Sequence, residues 1–292
     1  MGQAQASLQT FALALASEAQ EFPQVQETNV LKLDDSYYVL IGEFHNVDFD
    51  RDAARATILR LLGGCKVDVD VFVESNYKLR NEFSAKRDYD DEEGDVLDGS
   101  LAGGSGMDVV EDLVGEELDA SCSRVRWHAV DVRFRCMTQL AMLLMFPGAD
   151  GSFLSLATTK QLLFTLVDDF PSTVQFVHKL SARLPVLRPV WDAVWDEYDG
   201  LMARFNETIT SNTISISSCS SSASTLFQLY ARLMDIYCVR RMLTRQDGSL
   251  RVVYVGNNHR LSIKQIMQTL GATAVVSADL RAKTVTPAAA AN

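Results

Sequence analysis

The chain has 292 residues, of which 47% are apolar and 22% are charged, so it is long enough to bury a large hydrophobic core. Its longest apolar runs, residues 11–16 and 140–146, are far shorter than the roughly 18 residues of a membrane-spanning helix. The net charge of −11 is mostly local, because residues 88–119 hold 13 acidic residues and no Lys or Arg, and the nearly neutral remainder lacks the basic patch of a nucleic-acid-binding protein.

The first predicted elements form a strand–helix–strand unit. Residues 37–41 are a short β-branched and aromatic run, which predicts a buried strand. Apolar residues recur at helical spacing over residues 50–62, and residues 67–73 alternate as a second strand that ends on Glu74. A unit of this length is typically a right-handed crossover between parallel strands, so the sheet is predicted to be at least partly parallel.

The middle of the chain is predicted to be an insertion of helices. The acidic, glycine-containing residues 88–119 have too little to bury, which predicts an exposed, mobile loop rather than a metal site. A third strand follows at residues 124–132, and helical spacing then appears at residues 137–146, 158–168, 171–184, 189–205 and 226–243. The Ser/Thr-rich residues 208–224 are predicted to be a loop.

The C-terminal part returns to sheet elements. Residues 250–255 are predicted as a strand, residues 260–270 as a helix and residues 274–277 as a strand, and the tail from residue 284 is expected to be frayed. Together these patterns predict one α/β domain, in which a central, mainly parallel sheet is formed from both chain ends and carries a large helical insertion over residues 134–246.

Two segments share one form, an apolar strand followed by Gly-x-x-His. The first places Gly42 before His45, and the second places Gly256 before His259. With 16 Gly and 4 His in the chain, chance predicts about 0.2 such spacings, so two at strand ends are significant. Glycine permits a sharp turn out of the strand, and the carboxyl ends of parallel strands open onto the ligand crevice of α/β proteins. If the two strands are neighbours, both imidazoles face one pocket.

Further polar residues stand at predicted strand ends. Glu43 lies within the first motif, Glu74 ends the second strand, and Asp131 and Arg133 follow the third. A carboxylate beside apolar residues at a strand end is suited to general-base chemistry or to metal ligation. Salt bridges between these groups are the structural alternative. The other two histidines, His128 within a strand and His178 within a helix, are predicted to be structural.

The two motifs, with Glu74 between them and the later Asp131-Val132-Arg133, resemble the superfamily that joins TIKI proteases, TraB-like proteins, erythromycin esterases and ChaN-like haem-associated proteins. The resemblance covers chiefly residues 37–77, 125–135 and 226–276. Residues 234–237 and 240–241, on the helix before the second motif, are also similar to compact members found in large DNA viruses.

The resemblance implies an α/β fold with both motifs at one active site. TIKI relatives are metal-dependent peptidases, whereas esterase relatives use a histidine as general base without a metal. The matching positions in this chain are Gly42, Glu43, His45, Glu74, Arg133, Gly256 and His259. Asp131, Asp235 and Asn258 are expected to support the site from just outside it. The acidic segment and the helical middle have no counterpart, which leaves the substrate open.

Two mechanisms therefore stay open for a hydrolase of amide or ester bonds. In one, His45 and His259 with Glu43 or Glu74 ligate Mn or Zn, and a bound water attacks the carbonyl. In the other, His45 activates water, Glu74 orients its imidazole, and Arg133 or His259 stabilises the oxyanion.

The alternatives to a hydrolase are a binding module for haem or an iron complex and a catalytically inactive interaction protein. The expected partner of a hydrolase is a small-molecule or peptide substrate, with no nucleic acid and no membrane. No basic region precedes the apolar N-terminal residues, so we expect a cytoplasmic protein without a signal peptide.

Overall fold

The computed structural model describes residues 2–22, 25–43, 60, 62, 67–76, 125–131, 161, 163–164, 167, 170–171, 174–175, 177–179, 184–210, 215–244 and 250–275. The α-helices for which bounds are described are α1 (Gly2–Ala19), α2 (Arg188–Thr210), α3 (Ile216–Thr244) and α4 (Asn257–Thr269), and a short 3-10 helix, Pro185–Leu187, precedes α2. The described residues at 60, at 62 and between 161 and 179 are helical as well. Its strands are β1 (Val25–Leu33), β2 (Ser36–Glu43), β3 (Val69–Asn76), β4 (Val125–Asp131), β5 (Leu250–Gly256) and β6 (Thr273–Ala274).

These strands form a mixed sheet in the order β4-β3-β5-β2-β1-β6. The central strand β5 is parallel to both β2 and β3, whereas β1 is antiparallel to β2 and to β6. The parallel centre thus pairs strands from the first 76 residues with one from the last 43. The α/β class, with a sheet built from sequence-distant segments, is confirmed.

Strand β1 is an element that the sequence pattern did not predict. It forms a hairpin with β2 in which Leu33 pairs with Ser36, so only two residues make the turn. The first of them, Asp34, has a φ of 52°, a left-handed conformation that Asp adopts more readily than most residues. The strand escaped prediction because its burial is irregular, with four partly buried and two exposed residues among nine.

The two faces of the sheet carry different residues. Helix α1 packs on one face, where its small residues Ala12, Ala16 and Ala19 meet alternate strand residues such as Ile41 and Val252 in the main hydrophobic core. Since successive strand residues point to opposite faces, Gly42, Phe72, Glu74 and Arg251 belong to the other face. Helix α4 lies on that second face, because a Cβ on Gly42 would meet side chains of α4.

Helix α4 ends in a hydrogen-bonding pattern that needs a glycine. The N–H of Gly271 donates to the carbonyl of Gln268 at 3.0 Å, and the N–H of Ala272 donates to that of Met267 at 2.9 Å. This is the Schellman arrangement, which places the residue after the helix in the left-handed region. Gly271 adopts this conformation, with a φ of +96°. Strand β6 begins two residues later, at Thr273.

The chain divides into two compact units. One comprises residues 1–74, 106–128 and 242–292, and the other residues 75–105 and 129–241. Within the second unit, α2 buries Trp191, Val194, Tyr198 and Leu201, a stripe at helical spacing. Tyr198 stacks on Phe170 at 4.4 Å between ring centroids, and Tyr230 of α3 meets Phe170 edge-on at 4.9 Å.

The prediction of a loop over residues 208–224 is wrong for residues 208–210 and 216–224, which are helical. Of the other residues in this range, the structure describes only residue 215, which is not helical. Helix α2 continues to Thr210, and α3 already begins at Ile216. Hydroxyl side chains are compatible with a helix when they donate to a carbonyl one turn earlier. Thr225 does so, with Oγ1 donating to the carbonyl of Ser221 at 3.2 Å.

Several predictions fall outside the described residues. They concern the acidic segment 88–119, the helix 137–146, the tail 284–292 and all but two residues of the helix 50–62. Among the helices that the structure does describe, none combines the length and the apolar character required to cross a bilayer.

Candidate functional site

The candidate site lies at the carboxyl edge of the three parallel strands. Glu43 is the last residue of β2 and pairs in register with Gly256, the last residue of β5. Glu74 lies near the end of β3, on the other side of β5. Helix α4 begins directly after Gly256. This edge is where open α/β sheets bind their ligands.

Glu74 and His259 meet at this edge. The carboxylate of Glu74 accepts a hydrogen bond through Oε2 from the backbone N–H of Gly256 at 2.8 Å. Its other oxygen, Oε1, lies 3.4 Å from Nε2 of His259. Both residues are 8% exposed. The pair is therefore nearly buried, and the carboxylate is held by the chain segment that leads into the helix carrying the histidine.

His259 lies inside a helix rather than in front of one. The sequence predicted a helix from residue 260, but α4 begins at Asn257, so the imidazole belongs to its first turn. Gly256 is the N-cap, with φ −56° and ψ 148°, an extended conformation that any residue adopts. Gly256 thus stands at the predicted strand–helix junction, but its conformation does not demand glycine.

Gly42 does not form a turn, in contrast to its predicted role, because it lies within strand β2. A Cβ at this position would stand 2.7 Å from both Cδ of Arg260 and Oδ1 of Asn257. Glycine is therefore required at Gly42 because the first turn of α4 packs directly on the backbone of β2.

Glu43 and Glu74 leave the sheet on different faces. Glu43 is two residues after Ile41, which contributes to the core beneath α1, so its buried side chain starts on that face. Glu74 starts on the face of α4. Within the described parts of the chain, no three His, Cys, Asp or Glu side chains form a group able to hold a metal ion.

The remaining predicted site residues are distributed as follows. His45 and Arg133 lie outside the described residues, and Asp131 is described only as the last backbone position of β4. Asn258 is exposed in the first turn of α4. Asp235 is buried in α3 within the second compact unit. Arg232, also on α3, pairs with Glu197 of α2.

Two buried charge clusters were not predicted. Arg260 is fully buried and contacts Glu27, Asn29 and Asn257. The only feature of the sequence that pointed to a role for Arg260 is its position directly after the second motif. An Arg at the start of a helix is usually exposed, so its burial could not be predicted.

The second cluster joins β3 and β4. Asp70, also fully buried, accepts two hydrogen bonds from Arg126, at 2.7 and 3.0 Å, and lies 3.0 Å from Nε2 of His128. The ring of His128 stacks on Phe72, consistent with a packed, structural histidine. In the sequence, the sign of this cluster was the position of Asp70 within the apolar run of β3, where an acidic residue needs a buried partner.

Comparisons with known proteins give no match for this chain: no protein-family profile, no curated protein and no solved structure is significantly similar to it. The resemblance to the TIKI, TraB, erythromycin esterase and ChaN superfamily therefore stays a prediction that depends on the two motifs.

Proposed function

We propose that this chain is a hydrolase of ester or amide bonds in which Glu74 and His259 form the general-base pair. The observation that carries the proposal is the contact of the anchored Glu74 carboxylate with the imidazole of His259 at the carboxyl edge of the parallel strands. A carboxylate that orients a histidine is the recurrent arrangement by which hydrolases activate a nucleophile. The 3.4 Å separation is long for a hydrogen bond, as is common before substrate binds.

In this proposal, the contact with Glu74 decides which ring nitrogen of His259 acts as the base. An ionised carboxylate only accepts hydrogen bonds, so Nε2 of His259, which faces Glu74, carries the proton. The lone pair is then on Nδ1, and this nitrogen takes a proton from water as the water oxygen bonds to the substrate carbonyl carbon. The imidazolium returns that proton to the leaving alcohol or amine as the ester or amide bond breaks.

The negative charge that develops on the carbonyl oxygen requires stabilisation. Helix α4 begins at Asn257, and its N-cap, Gly256, has no side chain with which to cap the first amides. The positive end of the helix dipole therefore lies in the same turn as His259. In the proposal, these amides stabilise the oxyanion.

The metal-dependent alternative uses the same pair differently. A histidine that ligates a metal through one ring nitrogen usually donates the other N–H to a carboxylate, which Glu74 provides for His259. A divalent Mn or Zn ion would polarise the carbonyl and activate water. His45, which this alternative also requires as a ligand, lies outside the described residues, and the mechanism above is derived without a metal ion.

The proposal is tested with p-nitrophenyl acetate as the ester and acetyl-alanine p-nitroanilide as the amide. We expect His259→Ala to lower kcat/KM by about 10²- to 10⁴-fold, the usual contribution of a general base. Glu74→Gln is expected to lower it about 10- to 100-fold, because the amide cannot hold the same imidazole tautomer. The matched controls are His178→Ala and Glu197→Gln, both on helices of the second unit, which should keep wild-type rates.

Other outcomes identify the alternative functions. A wild-type protein without hydrolysis of either probe, or full activity in His259→Ala, contradicts the proposal. A Soret band in the purified protein would indicate haem binding. Stoichiometric Mn or Zn in the wild type that is lost in both His45→Ala and His259→Ala would assign the metal-dependent form of the reaction.

A further inference from the structure

We propose that Arg260 is a positioning residue for His259: it ties the first turn of α4 to strand β1 and so holds the imidazole against Glu74. This inference rests on the proposed function, because it assigns a role in the same site. It concerns a residue that follows the second motif directly and that neither mechanism predicted from the sequence includes.

The contacts of Arg260 connect three elements. Its Nε donates to Oδ1 of Asn257 in the same helical turn at 2.7 Å. Its Nη2 donates to Oε2 of Glu27 at 2.7 Å, and its Nη1 donates to Oδ1 of Asn29, both on β1. The guanidinium thus spans from α4 across β2 to β1. The planar fork of an Arg can make these three contacts at once, whereas a Lys ammonium cannot match their geometry.

Because Arg260 is buried, its charge depends on these hydrogen-bonding partners. The Arg260 side chain is 0% exposed, whereas that of Glu27 is 49% exposed. A buried cation without such partners is strongly unfavourable, so the helix start keeps the position in which all three contacts are made. Burial lowers the pKa of the Arg260 guanidinium, and the charge of Glu27 opposes this change.

On β2, Gly42 leaves the space into which the first turn of α4 packs. The aliphatic part of Arg260 and the amide of Asn257 occupy the space where a Cβ would be, at 2.7 Å from it. Packing at this distance leaves the helix start no room to move toward the sheet. Gly42 belongs to the first Gly-x-x-His segment and Asn257 to the second, so this contact joins the segments physically.

The first turn of α4 is therefore held from two directions. Arg260 attaches it to β1, while Glu74 on β3 accepts from Gly256 and faces His259. Consecutive residues of a helix point about 100° apart, so Arg260 acts on the imidazole through the backbone. Loss of the β1 attachment would release one side of the turn and lengthen the Glu74–His259 contact. A misplacement of about 1 Å in an active site costs up to about 10²-fold in rate.

The test uses Arg260→Lys in the full chain, with Arg126→Lys as the matched control. Both changes replace an arginine that hydrogen-bonds a carboxylate, but Arg126 binds Asp70 near the start of β3. We expect Arg260→Lys to lower kcat on p-nitrophenyl acetate at least 10-fold with KM changed less than about 2-fold. Arg126→Lys should leave both constants near wild type.

A second readout does not depend on catalysis. In ¹⁵N-histidine-labelled protein at constant pH, the imidazole signals of His259, assigned with His259→Gln, should shift in Arg260→Lys and stay in place in Arg126→Lys. If Arg260→Lys does not fold, Glu27→Gln replaces it, because the half-exposed Glu27 acts on the site through Arg260. This variant should shift the same signals.

Unchanged His259 signals together with an unchanged kcat overturn the inference. So does a fall in kcat that Arg126→Lys reproduces, since this would reflect general destabilisation. If the wild type hydrolyses neither probe, the proposed function fails by itself, and the role of Arg260 is then decided by the histidine signals alone.

Discussion

Asp70 shows how a single buried carboxylate depends on its partners. Burial by itself would raise the pKa of Asp70, but the hydrogen bonds with His128 and Arg126 outweigh it and lower the pKa from 3.8 to about 2. A carboxyl group whose pKa is lower in the folded state stabilises the fold above its unfolded pKa. This stabilisation, about 2 kcal/mol, is present above about pH 4 and is lost as the pH falls through about 2.

Asp70→Asn should therefore change the acid limb of the stability profile. We expect the free energy of unfolding to fall by about 1–3 kcal/mol at neutral pH and to depend less steeply on pH between 4 and 2 than in the wild type. Urea unfolding followed by circular dichroism across this range measures both effects. Asp192→Asn, at an exposed ion pair with Arg188, is the control and should change stability by less than about 0.5 kcal/mol. Parallel curves for Asp70→Asn and the wild type would contradict this prediction.

Among the elements, regular periodicity made prediction possible. Strands β2, β3 and β5 are apolar runs, and the buried stripe of α2 recurs at helical spacing, so they were predicted from the sequence. Strand β1 was missed because its residues do not alternate regularly between apolar and polar. Two of its polar residues, Glu27 and Asn29, accept hydrogen bonds from Arg260. The start of α4 was placed three residues late because Asn257 and Asn258 resemble turn residues.

The packing of α4 on β2 makes a prediction for two glycines. Gly42→Ala should destabilise the fold by about 1–3 kcal/mol, because the new Cβ overlaps Arg260 and Asn257. Gly200→Ala in α2 should be neutral or stabilise by up to about 1 kcal/mol, because a Cβ there meets its nearest atom, Nη1 of Arg204, at an ordinary 3.8 Å and Ala favours a helix. Thermal unfolding of both variants checks the difference. Equal midpoints for both would show that α4 does not pack on Gly42 as described.

For the molecule as a whole, the sequence was sufficient to predict the parallel centre of the sheet but not strand β1 or the pairing of the functional groups. The two motifs indicated that distant segments meet at one edge, and β2 and β5 are neighbours in the structure. Glu74 was expected either to ligate a metal with His259 or to orient His45, which lies outside the described residues; within them, its carboxylate faces His259. Such contacts depend on sheet order and on where α4 begins, and a single sequence contains no direct signal of either.

The central claim is that Glu74 acts through His259, and a double-mutant cycle tests it most directly. The measurement is kcat/KM for p-nitrophenyl acetate in the wild type, Glu74→Gln, His259→Ala and the double variant. If the carboxylate works by orienting the imidazole, the double variant should be no slower than His259→Ala. If the two losses multiply instead, the residues act independently, and the Glu74–His259 pair is not the catalytic unit.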